Sequence, residues 1–303
     1  MLNITLKSWL HAARLRTLPL ASASIILGSA LAFSQQQFSA GVLGLALVTA
    51  LLLQILSNLA NDYGDAVKGL DDDSRVGPKR AIQAGLLTKQ QMLRAIVVVA
   101  LLSIGSGLAL LAVSLGANLQ AWLGFISLGG LAIVAAMAYT MGARPYGYRG
   151  FGDISVFLFF GLLGVLGCYY LHTQSINLAV VLVATANGLL ATAVLNINNL
   201  RDFKPDQQAG KLTLAVRLGE TRARYYHLLL IFSALLLLAV FVAWQAPSSL
   251  AWLFALPGLA LVKVANTVFT HYQHHILDQQ LQATAKLSFV VALLFSIGLQ
   301  IQF

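Results

Sequence analysis

The sequence predicts an all-α protein that crosses a membrane many times. Three observations predict it: too few charges for a water-soluble chain, apolar runs of bilayer length, and a one-sided placement of charge. Hydrophobic residues make up 58% and charged residues 10% of the 303, against about 25% charged in soluble domains. Apolar runs long enough to cross the hydrocarbon core, roughly 20 residues each, fall at nine places: about 18–34, 41–62, 93–115, 119–141, 151–172, 178–199, 225–245, 249–270 and 282–302. The connections at 35–40, 116–118, 173–177 and 246–248 carry no Lys or Arg. All 19 Lys and Arg lie in the N-terminal segment, in the alternate connections or near the span ends facing them. By the positive-inside rule the N-terminus is cytoplasmic and the C-terminus outside. A wrong span count would scramble this alternation.

Each element can be justified in turn. Lys7, Arg14 and Arg16 precede the first span, and the small residues Ser29 to Ala32 make it superficially like a cleavable signal. It is read as an uncleaved span, because its removal would spoil the charge pattern. Span 2 leads into a long connection, 63–92, that holds Asp65, Lys68, three successive acids Asp71, Asp72 and Asp73, then Arg75, Lys79 and Arg80. The acid run is read as a solvated turn. Thr88 and Gln91 form a capping-box pattern that starts span 3. Span 5 carries the lone Cys168, read as packing. Span 6 leads into the second long connection, 200–224, with Asp202, Asp206, Lys211, Arg217, Arg222 and Arg224. There Pro205 is expected to end the helix and throw Asp206 out of line with Asp202. Pro257-Gly258 breaks span 8, and His271, His274 and His275 form a solvated cluster before span 9. Both long connections run acid first and base later, each after an even-numbered span. This pattern points to two diverged halves plus one extra helix.

The net charge of +9 is explained by topology and by attraction to anionic lipid; nothing points to nucleic acid. The acids are more telling. All ten Asp and Glu fall on the basic side. They include two copies of one pattern: Asn58, Asp62 and Asp65, then Asn198, Asp202 and Asp206. Helix positions i and i+4 share a face. Oxygen donors converging from two helix ends suit Mg²⁺, which is held by one or two carboxylates together with substrate phosphates. The competing reading is that Asp62 and Asp202 cap or pair locally, but an acid at a helix C-terminus opposes the macrodipole. The pattern therefore points to chemistry on a diphosphate.

Tyr139, Tyr146 and Tyr148, at the basic end of span 4 and just after it, could stabilise a carbocation or simply sit at the membrane interface. Arg16 and Arg144 fit a substrate anion or topology alone. Asp153, just inside span 5, is either functional or paired with Arg144 or Arg149. A transporter would place polar groups at the bilayer midplane on broken helices, where this chain offers only Asn187, Asn196 and Asn266. An alcohol phosphotransferase would need a dense Asp-rich motif that is absent.

The stretches Leu15-Arg-Thr-Leu-Pro19, 52–69, 144–161, 190–202 and 210–219 together resemble the UbiA superfamily of intramembrane aromatic prenyltransferases. That family has nine transmembrane helices and Asp-rich motifs after helices 2 and 6. The run at 144–157 resembles its naphthoate branch. The resemblance implies one intramembrane domain over 1–303 in a bacterial inner membrane, with loops 63–92 and 200–224 capping a diphosphate. It implies transfer of a polyprenyl group from its diphosphate to 1,4-dihydroxy-2-naphthoate, with loss of CO₂ and pyrophosphate. A sister reaction on 4-hydroxybenzoate or homogentisate is the alternative. The cofactor implied is Mg²⁺, on Asn58, Asp62, Asp65, Asn198, Asp202 and Asp206, with Lys79, Arg80, Lys211 and Arg217 on diphosphate oxygens. Arg16, Tyr139, Arg144, Tyr146 and Asp153 would face the aromatic acceptor or the cation. The family's further acid four residues after Asp65 is here Gly69.

Overall fold

The computed structural model describes residues 5–69, 78–245 and 249–301. Among them there are helices and no strands, and nine helical spans are long and apolar enough to cross a membrane. The first is broken. Helix α1 (Leu6–Ala13) ends at Arg14, whose φ of 50° is left-handed, and a 3₁₀ turn (Leu15–Thr17) leads into α2 (Leu18–Ser34). A non-glycine residue in that conformation marks an imposed elbow. Asn58 imposes it: its amide nitrogen donates to the Ala13 carbonyl and to the Thr17 hydroxyl, both at 2.9 Å.

Next come α3 (Ala40–Val67), α4 (Lys89–Leu115) and α5 (Leu119–Ala138). The fifth span is composite: α6 (Gly152–Val156), a π-helix (Phe157–Gly167) and α7 (Cys168–Thr173). Then follow α8 (Leu178–Arg201), short α9 (Phe203–Gln208) and α10 (Leu214–Leu218), α11 (Glu220–Gln245), α12 (Ala255–Thr270) and α13 (His274–Gln300). The tight turns at one end are made possible by side-chain caps: Ser39, Asn118 and Asn177 accept from the first-turn N–H groups of α3, α5 and α8. At the other end Thr88 and Gln91 form the expected capping box on α4.

Helix α8 is the most buried span and packs on α11, the π-helix and α13. In lipid the driving force is close packing rather than exclusion of water. Accordingly, a Cβ on Gly161 of the π-helix would come within 2.7 Å of the Ala184 carbonyl. Asn187 of α8 donates to Ser24 of α2 (3.0 Å) and to the Phe160 carbonyl (2.8 Å), stitching three helices together. The most central mid-span amide is thus structural glue. Pro257 lies in the first turn of α12, where its missing N–H costs nothing, so it does not break a span midway. Helices α3, α4 and α5 pack as one group, α8, α11 and α12 as another, and α13 joins them by packing on α2 and α8.

Candidate active site

Between the two groups lies a cavity of about 1200 Å³. Its deep walls are apolar, among them Leu111, Phe125, Phe159 and Leu163, and its polar end is built by the C-terminal ends of α3 and α8.

The end of α3 divides its acids between two faces. Asn58, Asn61 and Asp65 line the cavity. Asp62 turns away. It is buried, and its carboxylate accepts from the backbone N–H groups of Ala81 (2.9 Å) and Ile82 (3.4 Å), which anchors the returning loop. Asp65 is 1% exposed. It pairs with Arg80 at 2.5 Å and with Lys211 at 3.6 Å, and it accepts from the Tyr148 hydroxyl. Arg80 also donates to the Asn61 carbonyl. The Lys68 ammonium donates to the Thr140 carbonyl (3.2 Å) and lies 4.7 Å from the Tyr148 ring centre; Lys211 lies over the same ring at 4.7 Å. Burial pulls the Lys68 ammonium below the usual lysine range, against the opposing pull of Asp65.

The end of α8 is held by Arg201, which is 1% exposed. It donates to Asp202 (2.7 and 2.8 Å), Asp278 (2.7 Å) and Asn198 (3.0 Å). Asp206 does stack one turn beyond Asp202, contrary to the expectation from Pro205. The chain breaks at Asp202 and restarts as α9, so Pro205 sits in a first turn and the Asp206 N–H bonds the Asp202 carbonyl at 2.8 Å. Lys211 reaches Asp206 at 3.8 Å as well as Asp65. One ammonium therefore bridges the two motifs.

The segment carrying Lys211 is tied to the loop after α5. Leu212 N–H bonds the Tyr148 carbonyl at 2.9 Å, and Arg217 donates to the Arg149 carbonyl at 2.9 Å. Gly150, at φ 79°, lets the two strands of chain approach, since a Cβ there would lie 3.0 Å from the Leu212 carbonyl.

Of the anticipated residues, Asn58, Asp65, Arg80, Asn198, Asp202, Asp206, Lys211, Arg16, Tyr139 and Tyr146 line the cavity. Lys79, Arg144 and Arg217 are exposed and do not line it, and neither do Asp62 and Asp153. Asp71, Asp72 and Asp73 lie outside the described residues. Tyr139 and Tyr146 meet edge to face, 5.4 Å apart. Tyr146 is anchored to the Ala135 carbonyl and the Ser155 hydroxyl, both at 2.9 Å, and burial raises its phenol above the usual range. Asp153 pairs with neither Arg144 nor Arg149; it is buried facing Tyr226 of α11. Sequence reasoning missed Asn61, Lys68, Asp278 and Lys286. Asn61 was legible, because Asn61–Asp65 repeats the spacing of Asn198–Asp202.

Among the described residues no three His, Cys, Asp or Glu side chains converge as a self-sufficient metal site. The metal donors that the two helix ends bring to the polar end of the cavity are carboxylates and amides: Asn58, Asn61 and Asp65 from α3, and Asn198, Asp202 and Asp206 from the end of α8 and the start of α9. That set fits Mg²⁺, which keeps water or phosphate in most of its coordination sphere, and it does not fit a soft metal.

The chain matches the UbiA prenyltransferase family over residues 21–295. A 1,4-dihydroxy-2-naphthoate octaprenyltransferase of Escherichia coli (strain K12) is 51% identical over 293 residues, which is 97% of this chain and 95% of that protein. The Haemophilus influenzae protein of the same name is 47% identical over 303 residues, 99% and 98% of the two chains. Among solved structures, a UbiA homolog from Aeropyrum pernix K1 superposes with a TM-score of 0.68 at 16% identity, over 92% of this chain and 96% of that one. An Archaeoglobus fulgidus homolog bound to GPP and Mg²⁺ gives 0.61 at 14% identity, over 97% and 100%. The family match and the near full-length identities make this chain a member of the UbiA prenyltransferase family.

Proposed function

We infer that this chain is a membrane-embedded prenyltransferase that moves a polyprenyl group from its diphosphate to 1,4-dihydroxy-2-naphthoate, releasing CO₂ and pyrophosphate in menaquinone biosynthesis. One observation of the structure carries the reading: Lys211 bridges Asp65 and Asp206 across the polar end of an otherwise apolar cavity. An ammonium set between carboxylates at the polar end of a largely apolar cavity of about 1200 Å³ suits a metal-bridged diphosphate with its prenyl chain.

Asp65, Asp202 and Asp206, with the amides of Asn61 and Asn198, would hold Mg²⁺; when bound, it neutralises charge on the leaving pyrophosphate. Arg80 and Lys211 bind the remaining phosphate oxygens, exchanging carboxylate partners for phosphate ones, and Lys68 beside Tyr148 adds positive charge nearby. These fixed charges lie where negative charge develops as the allylic C–O bond breaks. The apolar walls keep water from the cation, and the faces of Tyr139 and Tyr146 stabilise it. The ring carbon bearing the carboxylate attacks. A C–C bond forms to the allyl carbon, the bond to the carboxylate breaks, and its electron pair restores the aromatic ring. The connections that carry Arg80 and Lys211 cap the diphosphate, and the charge asymmetry orients this end to the cytoplasm.

With naphthoate labelled at its carboxyl carbon, labelled CO₂ and pyrophosphate are expected in equal amount, and EDTA should abolish both. Ready prenylation of 4-hydroxybenzoate, or prenylated naphthoate without CO₂, would overturn the acceptor assignment. For orientation, Cys placed at Gln36 or Ser175 should label from outside the cell, and Cys at Lys79 or Arg217 only after permeabilisation. Labelling of all four from one side would refute it.

A further inference from the structure

Helix α13 carries a polar column whose inner members, Gln282 and Lys286, reach the cavity and are not used by the diphosphate chemistry. Asp278, Gln282 and Lys286 are spaced i, i+4, i+8 and so share one face. Asp278 pairs with Arg201, and Gln282 donates to Asp278 at 3.1 Å. Gln282 and Lys286 both line the cavity. Lys286 lies two turns beyond Asp278, about 12 Å further along the helix. That is further from the acid motifs and in the first turn of the apolar run that begins near 282.

A lysine at that depth needs a reason. Lys286 is exposed, and its stem reaches roughly one turn of helix, to the level of Gln282 but not to the acid motifs. Intramembrane bases are costly and are normally paired. Lys286 makes no hydrogen bond or ion pair among the described residues. The bases at the acid motifs are the opposite case, since Arg80, Lys211 and Arg201 are all engaged with carboxylates. Arg16, the cavity-lining cation of the α1–α2 elbow, likewise has no ion pair, although it feels the charges of Asp278 and Asp202. The cavity thus has two cationic poles. One is neutralised by acids that suit a metal and a diphosphate. The other comprises Lys286 on α13, with Arg16 at the elbow nearer the acids, and neither has a carboxylate partner among the described residues.

We propose that Lys286 recognises the carboxylate of the aromatic acceptor, so that the enzyme selects an aromatic acid over the same ring without its carboxyl group. The inference rests on the decarboxylative reading above. Placing the acceptor's charge on α13 also suits the chemistry. The carbocation needs the tyrosines, which belong to α5 and the loop after it, and a lysine beside the cation would oppose its formation. Lys286 is then a specificity-determining residue that anchors the acid until the carboxylate leaves.

The test is direct binding to the purified full-length protein in detergent. The probes are 1-hydroxy-2-naphthoate, which has the carboxylate but cannot mimic the full acceptor, and 1-naphthol, which lacks it. Lys286→Met should weaken the acid at least about ten-fold, the ratio worth about 1.4 kcal/mol, and leave 1-naphthol unchanged. Lys286→Arg should restore much of the binding. In turnover, Lys286→Met should raise KM for the naphthoate and not for the prenyl diphosphate. Unchanged acid binding, equal weakening of both probes, or a rise in the diphosphate KM would each overturn the proposal. The parent's CO₂-to-pyrophosphate ratio separates this failure from failure of the reaction itself.

Discussion

The two acid motifs look like copies in sequence but are held in different ways. At the end of α3, the cavity acid Asp65 is clamped by Arg80, Lys211 and the Tyr148 hydroxyl, all from other segments. At the end of α8, Asp202 is clamped by the residue before it, Arg201, which is anchored to Asp278 of α13. The first motif depends on three connections folding over it. The second is prepared by its own helix and a neighbouring one. What they share is Lys211, which touches both. The difference teaches that a repeated spacing fixes which side chains can face a common point, and that each copy then recruits its supports from what the surrounding chain supplies.

The largest effects should test the equivalence of the two copies. Asp65→Ala and Asp202→Ala should each reduce turnover by at least about 10²–10³-fold, because each removes part of the charge stabilisation of the leaving group. Size-exclusion profiles in detergent should stay those of the parent. Near-normal turnover in either variant would break the comparison.

Asp62 should behave differently from Asp202 despite the matched spacing. Asp62→Ala leaves the Ala81 N–H without its acceptor, costing about 1–3 kcal/mol of stability. The expected outcome is a lowered Tm with turnover within about ten-fold of the parent at low temperature. Complete loss of turnover in a variant that melts like the parent would show Asp62 to be a ligand after all.

The smallest effect belongs to Arg217. It is exposed and ties Arg149 and Leu212 from outside the cavity. Arg217→Ala should cost about 0.5–1 kcal/mol and leave KM for the prenyl diphosphate within a factor of about two to three. A large rise in that KM would return Arg217 to the diphosphate site.

The legible parts can be traced to particular residues. The spans were readable because a bilayer imposes a length and a polarity that any helix must meet on its own. The Thr88 capping box was readable because it is closed within four residues. Asp206 was misplaced because Pro205 was taken to end structure, whereas it begins α9. The break at Asp202 is made by contacts that the local sequence does not contain. Asp62 and Asp65 could not be told apart by spacing alone, since both lie on the last turns of the same helix. The loop that returns through Ala81 and Ile82 decides between them by occupying the face of Asp62.

The sequence by itself determined the all-helical membrane architecture, the side on which the acids gather, and the residue types that suit a metal and a diphosphate. Each of these follows from local hydropathy, charge and spacing, which act within one helix or one loop. Tertiary structure alone decided which acid faces the cavity, that Lys211 joins the two motifs, and that Lys286 enters the cavity from a distant helix. Those outcomes depend on the rotation of one packed helix against another. That rotation is set by close contacts such as Gly161 on Ala184 and Asn58 on the α1–α2 elbow, between residues far apart in the chain.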